Sequence, residues 1–241
     1  MIRWKVKLSI FFCLKFFLLD KTYKVMKGGV RLVFILGAVL GAILGRIERV
    51  VLERITSTKY RSALIEVSSA VAGVFVIMVI GTTNLCRVIS SILLVEMCLV
   101  VSLIDMKEGY IYPKILCWFG VSRLTLVHSW EELETVVVAM ATAISLYLAI
   151  YLLGQLIFQK EMMGIGDIYY LACLALWLDQ TQVILVGLGA FWVALAFVGG
   201  YYVVYRRIIS SIAFAPMISI ACGMVYFYSQ QLLYYYWQWW L

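Results

Sequence analysis

Long apolar runs, one after another, leave this chain few ways to fold. Eight can be counted, at about 30–46, 62–80, 88–104, 111–127, 135–158, 166–179, 182–204 and 212–229, the fourth and sixth short and weakly delimited. A helix crossing a bilayer needs roughly 20 consecutive apolar residues. The runs lack alternation of period two, and a helix satisfies its own backbone groups inside lipid. The expected architecture is therefore all-α, a polytopic membrane helical bundle of about eight transmembrane helices. Composition agrees, with 65% hydrophobic and 14% charged residues. A soluble domain averages about 25% charged.

Basic residues in short loops set the orientation. Arg49, Arg54, Lys59, Arg61, Lys107, Lys114, Lys160, Arg206 and Arg207 follow odd-numbered runs, whereas Arg87 and Arg123 follow even-numbered ones. The first set is expected on the cytoplasmic side. Residues 1–29 form a basic tail that an even number of crossings places outside, against the charge rule. Its apolar stretch from Leu8 to Leu19 is interrupted by Lys15 and is short for a crossing. An interfacial helix, a strained extra crossing, a cleavable signal and an overextended start all remain open. Residues 30–241 are expected to form one membrane-embedded domain.

The net charge of +7 suits anionic lipid rather than nucleic acid, because the basic residues flank apolar runs. Six cysteines are scattered without a Cys-x-x-Cys pair, so neither a disulfide framework nor a metal site is expected; packing in apolar runs is their expected role. The single histidine, His128, falls in an expected outside loop, which excludes a Ser-His triad or a His-rich metal centre built from this chain alone.

Carboxylates inside or bordering apolar runs carry the functional signal, since ionisable residues at membrane depth are costly. Glu66 and Glu96 suit structural hydrogen bonds. Asp105 ends the third run in Ile104-Asp105-Met106-Lys107-Glu108-Gly109-Tyr110-Ile111-Tyr112-Pro113, and Pro113 suits the first turn of the next helix. Asp167 opens the sixth run in Met163-Gly164-Ile165-Gly166-Asp167, where Gly164 and Gly166 leave room for another chain beside the carboxylate. The bland alternative is that Asp167 is only an N-cap. Asp179 falls on the opposite side. Pro216, in Ala213-Phe214-Ala215-Pro216, shapes the end of the last run nearest the two aspartates. Gly37, Gly41 and Gly45 share one helix face and suit close helix packing. Two aspartates at one depth suggest a dyad sharing a proton, one carboxylate activating water while the other polarises a carbonyl. Such chemistry needs no cofactor.

Ile104-Asp105 with Ile111-Tyr112-Pro113, followed by Gly164-Ile165-Gly166-Asp167-Ile168, resembles the type IV prepilin peptidases, the Gly-x-Gly-Asp intramembrane aspartyl proteases. Gly41-Ala42-Ile43-Leu44, Tyr60 to Glu66 and Ala213 to Pro216 resemble further family motifs, extending the likeness over about 37–223. The resemblance implies that Asp105 and Asp167 are catalytic. It implies cleavage after the glycine ending the basic leader of a type IV prepilin, at the cytoplasmic face of a bacterial inner membrane. Glu66, Glu108 and Glu161 would meet the leader's lysines. Bifunctional relatives also methylate the new pilin N-terminus with S-adenosylmethionine. They commonly carry a tetra-cysteine zinc loop, for which residues 46–61 offer no cysteine. The interval from Asp105 to Pro113 is one residue longer than the family pattern, and Gly45 stands where the family has Asn. An ion-coupled transporter also uses membrane carboxylates, but no inverted repeat is visible. A non-catalytic pilus or secretion assembly protein would need neither aspartate.

Overall fold

The computed structural model describes residues 38, 39, 41–43, 45, 46, 69–76, 85–159, 163–207 and 212–240, with backbone alone for residues 85, 158 and 229–240. The described residues in regular structure are helical. Six helices have defined bounds: α1 (Leu85–Glu108), α2 (Pro113–Leu124), α3 (Trp130–Phe158), α4 (Ile165–Leu174), α5 (Gln180–Tyr205) and α6 (Ala215–Trp240). Residues 69–76 add a further helical stretch. The basic tail and most of the first two expected spans lie outside the described residues.

Local chemistry explains the helix ends. Tyr112 is held extended (φ −83°, ψ 114°), as the residue before a proline prefers, and Pro113 starts α2 where a missing N–H costs nothing. Ser129 accepts the Glu132 N–H at 3.2 Å to cap α3, and Glu131 and Glu132 face the positive end of its dipole. Asp179, expected to close the sixth span, instead opens α5. It accepts the Gln182 N–H at 2.7 Å while the Gln182 side chain accepts the Asp179 N–H at 3.2 Å, a complete capping box.

Three helices are long and apolar enough to cross a membrane, among the described residues: Cys86–Glu108, Trp130–Ile157 and Gln180–Tyr205. The expected count of eight is not confirmed among the described residues, which leave out most of the first two expected spans. At 1.5 Å per residue, α2 and α4 reach only about 18 and 15 Å, well short of a bilayer core of about 30 Å. The sixth apolar run is divided: α4 ends at Leu174, and residues 175–178 continue as buried turns.

The core lies around α4. Tyr170, Leu171, Leu174 and Ala175 are fully buried, enclosed by α2, α3 and α6. The turn after α4 is tied to α1 by Trp177, whose Nε1–H donates to the Ser90 carbonyl at 2.7 Å. By contrast, α3 and α5 are apolar all round, with Leu156 (77% exposed), Trp192 (72%) and Val203 (68%) facing outward. Such a surface suits lipid rather than water. This is a membrane protein. A Cβ at Gly41 would collide with the Ser69 carbonyl, so the small-residue packing expected there is realised at that position. The five described cysteines are free; Cys98, Cys173 and Cys222 are buried, whereas Cys86 and Cys117 are exposed.

Candidate active site

Asp105, in the last turn of α1, and Asp167, in the first turn of α4, both lie at one end of the bundle. Each is largely enclosed, 9% and 7% exposed, and the carboxylates lie within electrostatic reach of one another.

Asp105 sits one turn before the end of α1 rather than closing it. The helix runs on to Glu108 and stops at Gly109, whose left-handed φ of +66° suits glycine and whose N–H donates to the Asp105 carbonyl at 2.9 Å. Its side chain meets the N-terminus of α6. The Ala215 N–H donates to Asp105 Oδ2 at 3.0 Å. A helix N-terminus presents unpaired N–H groups and the positive end of its dipole, so it favours a carboxylate there. Pro216 is buried in the first turn of α6, where it removes no intrahelical bond. The Ala213–Pro216 motif thus brings a backbone amide onto a residue 110 positions earlier in the chain.

Asp167 is the third residue of α4. The N-cap is Gly164, not Asp167; the Asp167 carboxylate lies in the first turn of α4, where the helix dipole favours an anion. The two glycines differ. A Cβ on Gly166 would stand 3.1 Å from Ile111 Cβ, so Gly166 is what lets the α1–α2 connection lie against α4. Gly164 has an ordinary φ of −72°, and its Cβ would stand 3.4 Å from Asp167 Oδ2.

The remaining expected residues are less central. Pro113 is exposed at the start of α2. Glu108 accepts the Tyr112 hydroxyl at 2.7 Å; that bond pushes the Tyr112 phenol above its ordinary value. Glu66 and Glu161 lie outside the described residues.

Sequence reasoning missed a layer of hydroxyls one turn further into the bundle. Ser219 Oγ lies 2.7 Å from both Ser102 Oγ and Tyr170 Oη. It also lies 2.8 Å from the Ala215 carbonyl. Ser102 precedes Asp105 by three residues, Tyr170 follows Asp167 by three, and Ser219 follows Ala215 by four, so each shares a helix face with a site group. One arrangement satisfies all: Ser102 and Tyr170 donate to Ser219, which donates to Ala215. The layer joins α1, α4 and α6 beneath the carboxylates. Single hydroxyls in apolar runs carry little signal by themselves; only the three-residue offset from each aspartate could have pointed to them.

Two enclosed carboxylates on separate helices, one of them held by a backbone N–H, can accept a proton from water. A model of the type IV leader peptidase family matches residues 92–227, more than half of the chain and inclusive of both aspartates. No curated protein and no solved structure matches.

Proposed function

The chain belongs to the type IV leader peptidase family, and from that premise we propose that it is an aspartyl prepilin peptidase working through Asp105 and Asp167. The observation carrying this reading is the convergence of the two carboxylates from α1 and α4 at one end of the bundle. Like charges so placed resist ionising together, so the pair holds one proton and titrates as a unit. The ionised member takes a proton from water as that water attacks the scissile carbonyl; the protonated member donates a hydrogen bond to the carbonyl oxygen. The proton then passes to the leaving amine. The Ala215 amide fixes Asp105, so little reorganisation of that carboxylate accompanies the step.

The substrate is a type IV prepilin, cut after the glycine that ends its basic leader. Lys107, Lys114, Arg206 and Arg207 border this end of the bundle, which favours its placement at the cytoplasmic face of the inner membrane. Residues 30–241 constitute the membrane-embedded peptidase and 1–29 a basic tail. Membrane lipid is its second partner, and nucleic acid is none. For methylation the residues present do not fit the family's zinc loop: residues 46–61 hold no cysteine, and no three metal-binding side chains cluster among the described residues. No methylation step with S-adenosylmethionine is derived.

The test is cleavage of a prepilin by membranes carrying the wild type, Asp105→Asn or Asp167→Asn. Each substitution is expected to lower kcat by about 10²–10⁴-fold, the size of a lost general acid or base, with the protein still folded. Near-wild-type cleavage by either variant would reject the dyad and leave a transporter or an assembly protein as the better reading. The mass of the processed pilin reports methylation separately.

A further inference from the structure

Away from the aspartates the bundle holds a cavity of about 340 Å³, whose lining includes Arg87, Ser90, Arg123, His128, Glu132 and Tyr226. Eighteen residues of α1 separate Arg87 from Asp105, about 27 Å at the helical rise, so the cavity opens at the opposite membrane boundary. It has no part in the chemistry described above.

Its charges do not cancel. Arg123 Nη2 bonds Glu132 Oε1 at 3.1 Å, and the other Glu132 oxygen accepts the His128 backbone N–H at 3.4 Å. Both oxygens of the acidic lining residue are thereby engaged. Arg87 adds a second guanidinium with exposed access, while Arg123 is only 11% exposed. Two guanidinium groups facing one space repel, and an enclosed cation loses hydration; an anion between them relieves both penalties. The Tyr226 hydroxyl, 2.7 Å from Ser91 Oγ, adds a polar group on the α6 wall. The volume is at the small end of ligand cavities, enough for one compact anionic group and not for a nucleotide or a folded peptide.

We propose that this cavity binds a single phosphate or phosphodiester group through Arg87 and Arg123. Guanidinium groups match phosphate oxygens in charge and geometry. The phosphodiester of a phospholipid with net negative charge, not one offset by choline, is one source and free phosphate the other. The site does not depend on the peptidase reading.

The full chain in detergent would be titrated with phosphatidylglycerol, with phosphatidylcholine of the same acyl chains, and with inorganic phosphate, following thermal unfolding. A saturable rise in Tm with phosphatidylglycerol alone supports the site and identifies a lipid headgroup. A saturable rise with inorganic phosphate supports it with the free anion as source. Arg87→Gln is expected to raise the midpoint concentration about tenfold, the loss of one charge-assisted contact. Arg123→Gln should do the same but also strands Glu132, so Arg87→Gln, which leaves that ion pair whole, decides. Equal responses to both lipids without a phosphate response, no response to any probe, or a wild-type midpoint in Arg87→Gln would each overturn the proposal.

Discussion

A single methyl group separates the roles of the two glycines in the Gly-x-Gly-Asp motif. Gly166→Ala must push Ile111 Cβ back from 3.1 Å, and that atom belongs to a short connection with little freedom. The expected cost is about 1–3 kcal/mol, with a lower Tm and lower kcat. Gly164→Ala meets only ordinary contact and should keep most of its stability; equal losses in the two variants would contradict this distinction. Glu108→Lys places a cation where a basic leader would approach, and is expected to raise KM several-fold with kcat little changed. An unchanged KM would remove Glu108 from substrate recognition. The two aspartates, Gly166 and Pro216 were legible in the sequence because each breaks an apolar run at a cost that needs an explanation. The split between Gly164 and Gly166 was not, since it depends on which backbone passes nearby.

At the scale of elements, the layer of Ser102, Tyr170 and Ser219 is what holds three helices in register beneath the carboxylates. Ser219→Ala leaves two buried hydroxyls without their shared partner, at about 1–3 kcal/mol. As a positioning residue it should lower kcat by about tenfold to hundredfold while KM holds, because small displacements of reacting groups are expensive. Tyr170→Phe, which leaves Ser219 its other partners, should be milder. A parallel rise in KM, or a Tm loss without a kcat effect, would mark the layer as merely structural. Helix existence was legible from apolar length, but helix extent was not. The buried turns 175–178 are as apolar as α4 itself, and composition cannot tell a helical hydrogen bond from a turn. Where α1 stops past Asp105 likewise depended on Gly109 taking a left-handed conformation five residues beyond the end of the apolar run at 104.

Across the whole molecule, the apolar belt on α3 and α5 predicts a depth-dependent response to charge. Leu195, 62% exposed near the middle of α5, is expected to resist replacement by arginine, at about 3 kcal/mol of insertion free energy. Val204, 71% exposed beside the basic end, should accept arginine because the side chain can extend to the boundary. Measuring the fraction of each variant integrated into membranes checks this, and equal integration would argue against a lipid-facing belt. The tether at each end of α4 has a consequence of its own. Ile111 lies over Gly166 at one end, and Trp177 grips the Ser90 carbonyl at the other. The helix carrying Asp167 is thus lashed fore and aft to the segment carrying Asp105. Should a polypeptide enter at this end, room for it is expected to come from the surrounding chain yielding sideways, with the two carboxylate-bearing segments moving together.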